Sequence, residues 1–168
     1  NGRSPLDESL VGIWVAQLAL AIDHMHVHRV LHRDIKPANV FITRSGVVKL
    51  GDLGCCTLLE TPNEQCTSDY GSPLYLSPEV WSSGVCSNKS DIWAVGCVAY
   101  ELLALRPPFA APELAYKVIN MPPEAELPPC YSAGLRDLVG AMLQKDPAVR
   151  PSSSSLLRAT SAAGSDAP

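Results

Sequence analysis

Nowhere does this sequence hold the roughly 20 consecutive apolar residues that a helix needs to cross a bilayer. Its longest apolar stretches, Val11–Ile22 and Trp93–Leu105, are interrupted by Gln17 and Glu101, so no membrane role is expected. Positive charge is also scarce: 13 Lys and Arg face 17 Asp and Glu over 168 residues, a net charge of −4. Nucleic acid needs a basic stripe, which is missing, and is not expected as a partner. No basic-then-apolar segment with a small-residue cleavage site opens the chain, so export has no support. The start at Asn1 rather than Met leads us to expect a partial or processed chain.

Paired metal-ligand spacings are absent too. Cys55, Cys56, Cys66, Cys86, Cys97 and Cys130 form no C-x-x-C, and vicinal Cys55 and Cys56 cannot easily aim both thiolates at one zinc. His24, His26, His28 and His32 crowd together, but His24 and His28 share a helix face while His26 points elsewhere. No metal is expected on Cys or His, and the thiols are expected to be reduced, as in a cytoplasmic or nuclear protein.

What is present is a globular composition, 46% hydrophobic, at a length that suits one domain with a real core. Asp7 and Glu8 open a helical pattern in which Leu10, Trp14, Leu18, Ile22 and Met25 recur every three or four residues, ending near His28-Arg29. Val40–Thr43 and Val47–Leu50 are β-rich runs around Arg44-Ser45-Gly46, which predicts a hairpin. From Asp52 to Glu79 no period is sustained, and Gly54, Pro62, Gly71, Pro73 and Pro78 punctuate a long loop of the kind that usually carries function. Helix resumes at Lys89-Ser90-Asp91 and runs to Leu105, apolar on most of its circumference and therefore central. Weaker amphipathic helices are expected over Pro112–Ile119 and Ala133–Leu143, with Ser152–Ser155 capping a short terminal helix. Trp14, Trp81 and Trp93 are expected in the core. Residues 159–168 are expected to form a polar, disordered tail.

The chemistry concentrates in the loop before the hairpin and just after it. Asp34, Lys36 and Asn39 lie close together, and Asp52 follows the second strand. A base, a cation, an amide and a carboxylate held by a rigid hairpin suit phosphoryl transfer to a hydroxyl, which needs positioning and charge neutralisation above all. Asp34 would accept or orient the hydroxyl proton and Lys36 would neutralise the moving phosphate. Asn39 and Asp52 offer oxygens to magnesium, a hard cation.

These residues sit in motifs with a resemblance. His32-Arg33-Asp34-Ile35-Lys36-Pro37-Ala38-Asn39 resembles the catalytic loop of eukaryotic protein kinases, Asp52-Leu53-Gly54 their metal-binding triplet, and Ser77-Pro78-Glu79 the triplet that closes their activation segment. Ser90-Asp91-Ile92-Trp93 resembles the start of the family's buried helix, and Asp146–Pro151 its late arginine motif. The runs Ile35–Thr43 and Gly46–Gly54 are most similar to the NIMA-related (never-in-mitosis) serine/threonine kinases. The resemblance runs from Leu6 to about Leu157.

It implies a mainly α fold, the kinase C-terminal lobe with one small hairpin and a long activation loop, over residues 1–158. Protein substrates with Ser or Thr acceptors are implied, with ATP and Mg2+ as cofactors. Asp34 and Lys36 become the catalytic pair, and Lys36, Asn39 and Asp52 the nucleotide and metal ligands. Ser72 should bond Asp34 and Lys36, Asp91 should brace the loop that carries His32 and Arg33, and Glu79 should pair with Arg150. Ser68 and neighbouring Thr67 become candidates for activating phosphorylation, with Arg33 as the phosphate's partner. Related kinases often carry a basic residue after the Asp-Leu-Gly, where this chain has Cys55-Cys56-Thr57.

No G-x-G-x-x-G occurs, and the strand lysine and helix glutamate of the smaller lobe have no counterpart. The 168 residues alone are therefore expected to be inactive. The rival reading is a catalytically silent kinase lobe that serves as a protein-interaction module.

Overall fold

The computed structural model describes residues 4–61, 64–67 and 71–163. Helix α1 spans Glu8–Val27. Its start is set by Asp7, whose carboxylate accepts from the Leu10 amide at 3.0 Å, satisfying a donor that the helix itself leaves open. Val11, Val15, Leu18, Ala19 and Ile22 form its buried stripe. At 20 residues α1 outruns the apolar stretch read from sequence, and by length and composition alone it could cross a membrane. The stripe is nevertheless packed into the protein core, on two further helices described below.

A left-handed turn at Arg29 (φ 61°) drops the chain into β1 (Val30–Leu31). The hairpin follows as β2 (Val40–Ile42) and β3 (Val48–Leu50), with Val40 opposite Leu50 and Ile42 opposite Val48. Gly46 takes φ 80° in its turn, a conformation that costs glycine little. β4 (Thr57–Leu58) pairs with β1, and β5 (Cys66–Thr67) pairs with β6 (Val85–Cys86), both antiparallel.

Among the described residues, three strand pairs therefore stand where one hairpin was expected. Two-residue ladders are too short to leave an alternating pattern in sequence, which is why β1, β4, β5 and β6 escaped notice. The short helix α2 (Pro78–Ser83) was equally hidden. Proline opens it and Gly84, at φ 69°, closes it.

Cys66 and Cys86 lie directly opposite each other across β5 and β6, their Cα atoms 5.3 Å apart, and form a disulfide. This corrects the expectation of reduced thiols throughout. Nothing in a separation of 20 residues announces a pairing that only the strand register creates.

Helix α3 (Asn88–Ala104) is the centre of the molecule. Ser87 and Ser90 close a reciprocal capping box at its start, and Ile92, Trp93, Val95, Tyr100 and Leu103 are at most 2% exposed. Burial of each such side chain contributes roughly 1.5–3 kcal/mol. Then come α4 (Leu114–Asn120), which lies against α2, α5 (Ala133–Met142) and α6 (Ser153–Ala163), which lies against α1 and α5. α1 lies against α3 and α6, and α5 lies against α3. Trp93 belongs to the core, whereas Trp14 and Trp81 are only partly buried.

α6 continues through residues 159–163 of the expected tail, and residues 164–168 lie outside the described residues. Ala159, Ala162 and Ala163 are strong helix formers, and α6 leans on α1.

Candidate active site

Strand β1 delivers the chain to His32 on top of the first turn of α3. There the buried Asp91 carboxylate accepts from the His32 amide at 3.0 Å and the Arg33 amide at 2.9 Å. His26, from the last turn of α1, bonds the same carboxylate through Nε2 at 2.9 Å. Arg33 takes φ 68°, a strained geometry for a residue with a Cβ, and Asp91 fixes its amide. Arg33 Nε also donates to the Cys55 carbonyl.

His32 is fully buried and links two parts of the site. Its Nδ1 accepts from the Asp34 amide at 3.3 Å and its Nε2 lies 3.1 Å from the Gly51 carbonyl. Both bonds are met by one arrangement, the neutral ring with hydrogen on Nε2. The loop bearing Asp34 is thereby tied to the residue before Asp52.

Four donors converge on Asp34. Oδ1 accepts from the Ser72 amide at 3.0 Å and the Ser72 hydroxyl at 2.9 Å. Oδ2 accepts from Lys36 Nζ at 2.7 Å and from Asn39 Nδ2 at 3.2 Å. Lys36 also donates to Ser72 Oγ at 2.8 Å, so the three residues form a closed triangle. Burial alone pushes the Asp34 pKa up, but the bonds from Lys36, Ser72 and Asn39 and the Lys36 charge outweigh it and hold the carboxyl below its ordinary value. The bond to Asp34 raises the Lys36 pKa against the effect of burial, and the nearby Asp52 charge adds to the rise. At neutral pH the pair is an ionised carboxylate and an ammonium.

Asn39 Nδ2 donates to the Asp34 carbonyl as well, at 2.8 Å. Its hydrogens are thus used on Asp34, and its amide oxygen is the atom left for a cation. Asp52 stands after β3 in a left-handed conformation (φ 60°) with its side chain exposed, and Oδ1 receives the Gly54 amide at 3.4 Å. An exposed carboxylate and an amide oxygen are hard-oxygen donors, which fit magnesium and do not suit softer metals.

The remaining predicted residues lie further out. Glu79 and Arg150 pair with each other, and Ser90 Oγ donates to Glu79 Oε1 at 2.8 Å. Thr67 is exposed on β5, and Ser68 lies outside the described residues. His26 was missed: read beside its neighbours it belonged to a histidine cluster, and only the fold brings it to Asp91. Tyr75, whose hydroxyl donates to Glu101 at 2.8 Å, gave no sequence signal either. Arg33, Asp34, Ser72, Tyr75 and Ser90 line one cleft.

A helical body carrying this Asp–Lys–Asn–Asp constellation defines a protein kinase domain. The protein kinase domain family matches residues 1–160, and the chain belongs to that family. Within it the chain is 44% identical over 146 residues to mouse serine/threonine-protein kinase Nek3, covering 86% of this chain and 29% of that protein. It is 40% identical to mouse Nek4 over 91% of this chain and 20% of the relative. Against mouse Nek1 it is 42% identical over 86% of this chain and 12% of the relative. These similarities place it with the NIMA-related serine/threonine kinases. The chain thus spans less than a third of the length of these relatives.

Proposed function

We propose that this chain forms the larger, C-terminal lobe of a NIMA-related kinase, and that the complete enzyme phosphorylates Ser or Thr hydroxyls of protein substrates. The observation that carries the reading is the convergence of Lys36 and Ser72 on Asp34. A carboxylate held ionised by four donors, at the rim of a cleft, is prepared to receive a hydroxyl hydrogen.

Asp34 orients the acceptor hydroxyl and takes its proton as the bond to phosphorus forms. Its lowered pKa makes it a weak base, which suits a loose transition state in which the hydroxyl loses its proton late. Lys36 stands where charge builds on the moving group and neutralises it. Asn39 and Asp52 would hold magnesium through oxygen. Bound magnesium-ATP supplies the electrophilic γ-phosphoryl group. Ser72 keeps the Asp34 carboxylate in one rotamer and marks the edge of the acceptor's place. Asp91 and His32 hold the loop so that these positions do not drift.

The test is Asp34→Asn in the full-length protein. Turnover should fall by about 10^2–10^4-fold, with ATP affinity retained; undiminished turnover would sink the assignment. Asp52→Ala should instead weaken magnesium-dependent nucleotide binding, read directly by titration rather than by turnover.

A further inference from the structure

The phosphoryl-transfer reading leaves the Cys66–Cys86 bond without a role. We propose that this pair is a reversible thiol–disulfide modification site that clamps strand β5 onto β6 and so onto the body of the domain. The clamp's effect on Ser72 rests on the kinase reading above; its existence does not.

The two sulfurs belong to unequal partners. Cys86 is 2% exposed and packs with Leu31 and Leu59 in a small cluster beneath the segment. β6 runs straight into the cap of α3, so Cys86 is part of the rigid core. Cys66 is only half-buried, on a strand whose ladder is two residues long. So short a ladder holds weakly by itself, and the covalent bond is what fixes the outer strand. The ring it closes contains Ser72, the residue bonded to both Asp34 and Lys36.

Charge points the same way. Between Lys49 and Lys89 the sequence has no lysine or arginine, while Asp52, Glu60, Glu64, Asp69 and Glu79 are acidic. The cations that reach it come from the loop before β2, where Lys36 is bonded to Ser72 and Arg33 to the Cys55 carbonyl. A disulfide fixes β5 without calling on either.

The chemistry is exchange with a low-molecular-weight disulfide. The Cys66 thiolate attacks one sulfur of RSSR, forming a mixed disulfide and releasing RS−. The Cys86 thiolate then displaces the second RS−. The protein loses two electrons and two protons, and the small disulfide becomes two RSH. In reverse, a thiolate attacks Cys66, the accessible sulfur, and Cys86 leaves.

The full-length protein is equilibrated in oxidised glutathione or in dithiothreitol, alkylated, and mapped by mass spectrometry without reduction. A cross-linked peptide joining Cys66 to Cys86 is expected only in the oxidised sample, with exposed Cys130 as the reference thiol. Proteolytic cleavage of the native protein between Glu64 and Thr67 should be about tenfold faster after reduction. Cys66→Ser should be cut at the fast rate in both buffers. Full alkylation of both cysteines after glutathione, a glutathione adduct on Cys66 without Cys86, or cleavage indifferent to redox state would each overturn the clamp. These readouts need no turnover, so they stand apart from the fate of the Asp34 assignment.

Discussion

Arg150 and Glu79, 71 residues apart, meet in a two-point ion pair: Nη1 lies 2.8 Å from Oε1 and Nη2 lies 2.7 Å from Oε2. The guanidinium is fully buried and also donates to the carbonyls of Lys89, Gln144 and Lys145. One side chain thereby pins α2 to the start of α3 and to the turn after α5. Lys89 Nζ returns a bond to the Arg150 carbonyl, and the guanidinium carbon sits 5.1 Å from the Trp93 ring centre.

Removing Glu79 strands a buried guanidinium, and removing Arg150 leaves a partly buried carboxylate unpaired. Arg150→Ala and Glu79→Ala should each destabilise the full-length protein by about 3–5 kcal/mol in urea unfolding. The double substitution should cost clearly less than the sum, because neither charge is then left alone. Additive losses would show that the two residues act independently.

The same pair sets an acid limit. Burial raises the Glu79 pKa, but the bonds and charge of Arg150 and the Ser90 hydroxyl outweigh it and leave the pKa lowered. A carboxyl with a depressed folded-state pKa binds fewer protons folded than unfolded, so its contribution is present at neutral pH. That contribution should fade as pH falls below about 4.5. A pH series of unfolding midpoints should steepen below that point, and Glu79→Gln should flatten it.

Asp91 holds two amides and one imidazole at once. Asp91→Ala leaves the His32 and Arg33 N–H groups and His26 without their acceptor, at a cost of about 2–4 kcal/mol. Turnover should drop with it, since the Arg33 backbone loses its brace. Asp91→Asn, which keeps one carbonyl oxygen, should lose less in both. A melting temperature unchanged in Asp91→Ala would refute the role.

Two helical glycines should respond with opposite signs. A Cβ on Gly96 would stand 2.8 Å from Met142 Cβ and 3.1 Å from Leu143 Cδ2, where α3 touches α5. Gly96→Ala should destabilise by about 1–3 kcal/mol despite better helix propensity. Gly140, inside α5, has nothing within 4 Å of that position. Gly140→Ala should therefore stabilise by about 0.5–1 kcal/mol. Equal effects at the two sites would contradict the α3–α5 packing.

The sequence by itself determined the parts whose physics is local. Helices α1, α3 and α5 and the β2–β3 hairpin could be read because hydrophobic period and turn residues act over a few positions. Asp34, Lys36 and Asn39 were legible as chemistry because one short loop carries all three. Ser72 against Asp34, and Glu79 against Arg150, were expected from family resemblance rather than from the residues themselves. The tertiary structure alone decided the rest. His26 reaches Asp91 across 65 residues, Cys66 finds Cys86 through strand register, and Arg33 and Asp52 are held in left-handed backbone. Contacts of this kind leave no periodic trace along a chain. They exist only once the core around α3 has closed and decided which distant side chains face each other.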